Sequence, residues 1–403
     1  MESFLTPVIF LLSIGIAIAY NMGTNIWFGD ISYITKALSA VLQLGVTMDY
    51  SIFLLHRYDE EREIQKDNTS AMAVAIEKTI GSIAGSSLTT IAGFLALCIM
   101  KLALGKDIGF VMAKGVVFGL ICTVTVLPAL ILVFDKGIHR FKHKTVLPKF
   151  EKSSAWVIKH HKVLVLIGAL ILIPALIGYK KTDVYYNLDE SLPKDLPSIV
   201  ANNKLKAEYN MMSTNIILVN EDLDAYKVNE MIKELKGVDG VTSVVGLEDI
   251  LGARIPESFI PEDLLSKIKN GGYEEIMLNS KYKAASEDVT TQLKEINNIV
   301  KKYDPEGLVG GEAPLTNDLI NIADTDFKMV SFASIIAIFL IILIIFKSPV
   351  IPIVLVLAIE LAIYINLGVP YYMGTSIPFI ASIVIGTIQL GATVDYAILL
   401  TSR

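Results

Sequence analysis

The chain is poor in the residues that build most metal, redox and disulfide sites. It has two cysteines, Cys98 and Cys122, and both lie inside apolar runs, where they read as small buried hydrophobes. With none in the polar part of the chain, there is no disulfide framework. The five histidines, His56, His139, His143, His160 and His161, fall at the edges of apolar runs or outside them, beside basic residues. No two of them have metal-ligand spacing, and neither a metal nor a cofactor is expected. No stretch is basic enough for nucleic acid. The polar residues also offer no Ser/His/Asp, Cys/His or metal constellation, so an enzyme of the soluble kind is disfavoured.

Charge is scarce too, at 19% of residues, while 53% are hydrophobic and the mean hydropathy is +0.56. Those values point to a membrane protein. Residues 181–326 hold 15 Lys+Arg against 27 Asp+Glu, whereas the remainder holds 20 against 14. An acidic, water-soluble block is set into a basic, apolar frame.

Crossing a bilayer takes about 20 apolar residues. Eight runs qualify, near 6–21, 34–56, 81–102, 108–134, 162–179, 327–346, 349–368 and 376–400. The residues before the first are neither basic nor followed by a small-residue cleavage site, so that run reads as a span. The connection 135–162 carries eight Lys+Arg against two acids and should be cytoplasmic. Threading the spans from that anchor puts both chain ends and the loop HRYDEEREIQK inside, and the acidic block outside. Residues 150–161 suit an amphipathic helix on the membrane surface. The expected organisation is therefore four spans in 1–134, a basic linker 135–161, a span 162–179, an extracytoplasmic domain 180–326, and three spans in 327–403.

Within the outer block, Asn215–Asn220 and Val241–Val245 read as strands, and Leu223–Lys236 reads as a helix. A helix over Glu287–Tyr303 and a strand over Leu308–Gly311 follow. The order suggests a small α+β domain of split β-α-β type. Residues 246–285 look irregular or helical.

The most informative feature is an internal repeat. Gln43-Leu44-Gly45-Val46-Thr47-Met48-Asp49-Tyr50 matches Gln389-Leu390-Gly391-Ala392-Thr393-Val394-Asp395-Tyr396 at six of eight positions. Each copy runs on to an arginine, Arg57 or Arg403, and each is preceded by a span opening Pro-Val-Ile, at Pro7 or Pro349. Both copies cross in the same direction, so the repeat is parallel, and functional groups are expected between the halves. By symmetry, a span, an outer domain and another span should precede Met1, and two spans should follow Arg403. The chain thus reads as truncated at both ends.

Asp49 and Asp395 both fall well inside their spans. An ionised carboxylate there costs roughly 2.5–3.5 kcal/mol even on gentle insertion scales. The group can be neutral, because burial disfavours its charged form, or it can find partners in a polar interior. A carboxyl poised between those states can take a proton from one side and release it to the other. Gly45 and Gly391, four residues earlier on the same stripe, leave room for another helix. Gln43, Thr47 and Tyr50, like Gln389, Thr393 and Tyr396, form an adjacent stripe and a polar seam for the carboxyls. Tyr50 and Tyr396 are the natural donors, each to the opposite half's aspartate, a cross-pairing inferred and not proved by spacing. Ser86, Ser87 and Thr89 could line the same hydrated path. Glu360, a third acid near mid-span, occurs in one half only. Lys114 reads as snorkelling toward the outer surface. Arg57 and Arg403 mark the cytoplasmic boundary, and Asp59–Lys66 reads as a solvated loop or helix start.

Through Gly45-x-x-x-Asp49-Tyr50-Ser51-Ile52-Phe53-Leu54-Leu55-His56-Arg57-Tyr58 and Gly391-x-x-x-Asp395-Tyr396-Ala397-Ile398-Leu399-Leu400-Thr401-Ser402-Arg403, the chain resembles the resistance-nodulation-division superfamily. With one Asp-Tyr pair per half, it is most similar to the MMPL branch. The resemblance covers all eight spans and the position of the outer domain. It implies a twelve-span protein in two halves, each with a porter-like outer domain, of which this chain would hold the third to tenth spans. It further implies a proton relay at Asp49, Tyr50, Asp395 and Tyr396, and proton-driven export of lipid-like or hydrophobic molecules across the cytoplasmic membrane, in a bacterium. Membrane lipids, such a substrate and protons are the expected partners, and a homo-oligomer is compatible with it. Two rival readings share features of the sequence: a protein-translocation accessory of the same superfamily, and a sterol- or lipid-sensing receptor without net transport.

Overall fold

A computed structural model of the chain describes residues 3–141, 143, 151–187, 192–251 and 261–401. Its helices are, in chain order, α1 (Leu5–Gly23), α2 (Tyr33–Arg62), α3 (Asn68–Ala96), α4 (Ala103–Val124), α5 (Val126–Val133), α6 (Asp135–Arg140), α7 (Glu151–Lys159) and α8 (His161–Lys181). There follow α9 (Pro197–Tyr209), α10 (Ala225–Lys236), α11 (Leu247–Leu251), α12 (Glu262–Ile268), α13 (Glu287–Tyr303), α14 (Glu312–Phe346), α15 (Val350–Met373) and α16 (Phe379–Thr401). The chain divides into two compact units, residues 1–183 with 325–403, and residues 184–324.

The first unit is helical. Among the described residues, seven helical stretches are long and apolar enough to cross a membrane: Leu5–Phe28, Tyr33–Arg62, Asn68–Ile99, Ala103–Val133, His161–Lys181, Glu312–Phe346 and Val350–Met373. The apolar stretch described for α16, Phe379–Val394, is shorter than these. The helices depart from the apolar runs in several places. The run 81–102 is not one helix: α3 starts at Asn68, behind an Asp67 cap whose carboxylate accepts from the Ser70 N–H at 2.6 Å, and it ends at Ala96. The run 108–134 breaks at Thr125. Pro128 has no N–H to offer the Val124 carbonyl four residues back, and its ring crowds that oxygen. The expected loop after Arg57 is instead the last turn and more of α2, which runs to Arg62. Arg57 pairs there with Glu60 at 2.7 Å and Glu61 at 2.8 Å, the i,i+3 and i,i+4 contacts that support a helix. Buried Glu61 also takes Lys78 of α3 at 2.8 Å.

Close helix contacts occur where side chains are missing. A Cβ added to Gly178 of α8 would lie 2.7 Å from the Gly368 carbonyl oxygen of α15, and one added to Gly368 would lie 2.9 Å from the Ala175 oxygen. Small residues at such crossings let backbones meet without the hydrophobic effect, which lipid does not supply.

The second unit is α+β. Its main strands are β1 (Ser213–Asn220), β2 (Val241–Val245), β3 (Tyr273–Ser280) and β4 (Leu308–Gly311). The antiparallel sheet runs β2-β3-β1-β4, the order of a split β-α-β fold. Helices α10 and α13 close its core: Val228, Met231 and Leu235 from the first, and Ile296 and Val300 from the second, pack on Ile217, Val219, Ile276 and Leu278. Strand β3, at the sheet's centre, corrects the expectation that 246–285 is irregular or helical. It carries Glu274 and Glu275 at its start, and these hide the alternation of a half-buried strand. The turn before it, Asn270-Gly271-Gly272, has φ of +64° and +85° at the two glycines, which only glycine adopts freely. Helix α14 starts at Glu312, fifteen residues ahead of the apolar run, because Leu319, Ile320 and Ile322 extend a helical pattern through polar sequence.

Candidate functional site

Helices α2 and α16 carry the two copies of the repeated motif. Half-buried Asp49 receives a hydrogen bond from the hydroxyl of Tyr396, with Oη to Oδ2 at 2.5 Å. The donor and acceptor come from different copies of the repeat, so the contact joins the two halves. A hydrogen bond to an ionised carboxylate is about twice as strong as one between neutral groups. Tyr50 is buried in the first half, at 1% exposure, whereas Tyr396 is 58% exposed. Asp395 falls within α16, and its side chain lies outside the described residues, as does Arg403.

The motif glycines behave differently from each other. A Cβ on Gly391 would sit 3.5 Å from Thr90 Cα and 3.9 Å from Gly93 Cα, and one on Gly93 would sit 3.3 Å from Gly391 Cα. Helices α3 and α16 therefore cross backbone to backbone at Gly93 and Gly391. The Thr90 hydroxyl donates to the Gly391 oxygen there at 3.4 Å. Gly45 makes no such approach: a Cβ there would meet nothing within 4 Å. Close packing thus accounts for Gly391 and not for Gly45.

Gln43 and Thr47 turn away from Asp49 into the first half. Gln43 Nε2 donates to the Gly115 oxygen of α4 at 3.0 Å, and its Oε1 accepts from Asn21 Nδ2 of α1 at 2.9 Å. Thr47 packs on Gly119, where a Cβ would fall on its Oγ1. The pair Gly115 and Gly119, at i,i+4 on α4, lets these polar side chains in. In the second half Gln389 Oε1 accepts from Asn366 Nδ2 of α15 at 3.0 Å, so each copy has an Asn–Gln bridge between a motif helix and the helix before it. Sequence reading missed Asn21 and Asn366. Their signal was the spacing, 22 and 23 residues before the motif glutamines. Thr393 is half-buried on α16. Ser86 and Ser87 are buried on α3, and their Oγ atoms have no hydrogen-bond partner among the described residues, like Oγ1 of Thr47 and Thr123. Thr89 is satisfied locally, donating to the Ser86 oxygen at 2.6 Å.

Three further polar groups have defined places. Lys114 donates to the Asn21 oxygen at 3.0 Å and Asn25 Oδ1 at 2.6 Å, with its ammonium 4.9 Å from the Phe28 ring centre. Asp326, fully buried on α14, accepts from the backbone N–H groups of Lys101 and Leu102 at 3.0 Å each, which ties α14 to the start of α4. Glu360 lies on α15 and lines a cavity of about 170 Å³ among α8, α14, α15 and α16.

In the α+β unit, Glu274 continues the inward row of β3 with Ile276 and Leu278 and is fully buried. Lys269 Nζ reaches its Oε2 at 3.3 Å. Burial, and then the neighbouring Glu248, push Glu274 up to about 8, and Lys269 opposes them only in part.

A family model described as the MMPL family matches residues 1–156 and 191–403. The siderophore exporter MmpL5 of Mycobacterium tuberculosis is 25% identical over 322 residues, which are 75% of this chain and 32% of that protein. The apo-petrobactin exporter of Bacillus anthracis is 27% identical over 220 residues, 47% of this chain and 29% of that protein. Among solved structures, SecDF of Thermus thermophilus, a translocon-associated membrane protein, superposes with a TM-score of 0.58 at 14% identity, covering 99% of this chain and 48% of SecDF. That likeness is one of fold. The chain spans well under two thirds of the length of each of these proteins. A match over most of its residues places the chain, a multi-pass membrane protein, in the MMPL family of the resistance-nodulation-division superfamily.

Proposed function

We propose that this chain is the core of a proton-driven exporter of hydrophobic or lipid-like molecules in the cytoplasmic membrane. One observation carries the reading: the Tyr396 hydroxyl bonds Asp49 across the repeat at 2.5 Å. In the relay, Asp49 as carboxylate holds Tyr396 and so holds the two halves together. Protonation of Asp49 weakens that bond, and the halves re-pack about the Gly93–Gly391 crossing. Asp395 and Tyr50 serve as the symmetric partners in the same cycle. The buried hydroxyls of Ser86 and Ser87 have bonding capacity to spare for a proton path. Export, rather than sensing, is favoured by the relatives named as exporters, one of a siderophore and one of apo-petrobactin.

The test is transport by the full-length protein in lipid vesicles under an imposed proton gradient. Asp49→Asn should leave the protein folded and abolish gradient-driven efflux. Tyr396→Phe removes one charge-assisted hydrogen bond, about 1.5–3 kcal/mol, and should slow efflux by roughly tenfold or more. Efflux by Asp49→Asn at the wild-type rate would refute the relay. Gradient-dependent movement of a secretory polypeptide, with no efflux of small hydrophobic molecules, would select the translocation accessory instead.

A further inference from the structure

We propose that the Glu360 cavity is a binding site for the positively charged head of an amphiphile, and that Glu360 is its counter-ion. The inference deepens the export reading by naming the charge of the molecule carried, and rests on that reading for its purpose.

The repeat sets Glu360 apart from the relay. It lies six residues before Asn366 of the Asn–Gln bridge, and the residue six before Asn21 is Gly15, so the first half has no matching acid. A carboxylate at this depth costs roughly 2.5–3.5 kcal/mol, and intramembrane acids are retained mainly for function. Among the described residues that line the cavity there is no lysine, arginine or histidine to offset that charge. A bound cation would supply the missing partner.

The walls suit an organic cation. Tyr364, one turn beyond Glu360, interacts with its carboxyl, and the Tyr364 and Tyr179 rings stand 5.2 Å apart, centre to centre. Aromatic faces attract ammonium groups by about 0.5–2 kcal/mol, more when water is excluded. Ser334, at 1% exposure, presents a hydroxyl without a hydrogen-bond partner among the described residues. At Gly386 an added Cβ would meet nothing within 4 Å, which confirms free space on the α16 side. A volume of about 170 Å³ is smaller than the roughly 300–1,000 Å³ of sites that enclose a whole drug-sized ligand. It fits a quaternary ammonium head, with the hydrocarbon tail lying along Ile363, Leu367 and Leu390. An anionic head would face the Glu360 carboxylate and be repelled.

The experiment is equilibrium binding of radiolabelled dodecyltrimethylammonium to the purified full-length protein in zwitterionic lipid nanodiscs, with dodecanol as the uncharged competitor. Wild-type protein should bind the cation saturably, and dodecanol should compete at least about tenfold more weakly than unlabelled cation. Glu360→Gln should weaken cation binding at least about tenfold and erase the preference over dodecanol, while Glu360→Asp retains part of both. Gly386→Leu, which fills the space without touching the charge, should weaken cation and alcohol alike. Equal binding of cation and alcohol to the wild type overturns the proposal. So does a Glu360→Gln protein that melts earlier yet keeps the wild-type preference, since that marks a structural acid. Asp49→Asn should bind the cation normally. If Asp49→Asn also exports normally while Glu360→Gln loses the cation, the relay falls and this site stands; the opposite pattern sinks this site alone.

Discussion

Replacing Glu274 with Gln should remove a pH dependence from the α+β unit. In the unfolded chain this carboxyl titrates near 4.5, and in the fold burial and Glu248 raise it to about 8. Between those values the native state keeps a proton that the unfolded chain has lost. Stability is therefore greatest below the unfolded value, falls as pH rises from about 4.5 to 8, and levels off above that. Each unit is worth about 1.4 kcal/mol, so the ceiling on the loss is about 5 kcal/mol, and relaxation around Lys269, 3.3 Å away, reduces it. Glutamine mimics the protonated acid in shape and donor capacity. Wild type and Glu274→Gln should accordingly match near pH 5, while the variant is the more stable above pH 8, by up to that amount. Hydrogen exchange of the β1 and β3 amides in the full-length protein, corrected for intrinsic rates, reads this directly. Equal protection of wild-type β3 at both ends of the range, or the same slope in the variant, would refute the reasoning.

Four other substitutions test individual helix contacts. Gly93→Leu forces a side chain against Gly391, 3.3 Å from the first added atom, and should cost about 1–3 kcal/mol, whereas Gly45→Leu, with nothing within 4 Å, should stay within about 0.5 kcal/mol; thermal melts in detergent compare them. Asp326→Ala leaves the Lys101 and Leu102 N–H groups without their carboxylate and should cost about 1.5–3 kcal/mol, seen as faster exchange at those two amides. Gln43→Leu strands Asn21 and the Gly115 oxygen, and a loss of about 1–3 kcal/mol in the same melts is expected.

What the sequence made legible was whatever had a clean period. Helix Glu287–Tyr303 occupies the residues that periodicity assigns it, because its apolar stripe of Val289, Leu293, Ile296 and Val300 is uninterrupted, and strands Val241–Val245 and Leu308–Gly311 fall where the sequence places them. Strand Tyr273–Ser280 was lost because an inward glutamate stands where alternation calls for an apolar residue, although Asn-Gly-Gly announced the turn before it. Hydropathy also misplaced α3, whose Ser, Thr and Gly residues are polar on average yet face neighbouring helices. In the site, the repeat drew attention to Asp49 and Tyr396, but a motif says nothing of which half a hydroxyl reaches; only packing does. The stripe assignment of Gln43 and Thr47 ignored the helical wheel. Thr47 and Asp49 are two residues apart, about 200° around the helix, so a seam shared by both was geometrically remote.

The account stands on one bond changing with one proton. Infrared difference spectroscopy of the full-length protein, wild type against Asp49→Asn, can follow the protonated-carboxyl stretch through a pH titration. The account predicts a band that belongs to Asp49, grows and fades over the working pH range, and shifts in Tyr396→Phe, whose ring no longer donates to it. An Asp49 signal that keeps one protonation state throughout, or ignores the loss of the Tyr396 hydroxyl, would contradict it.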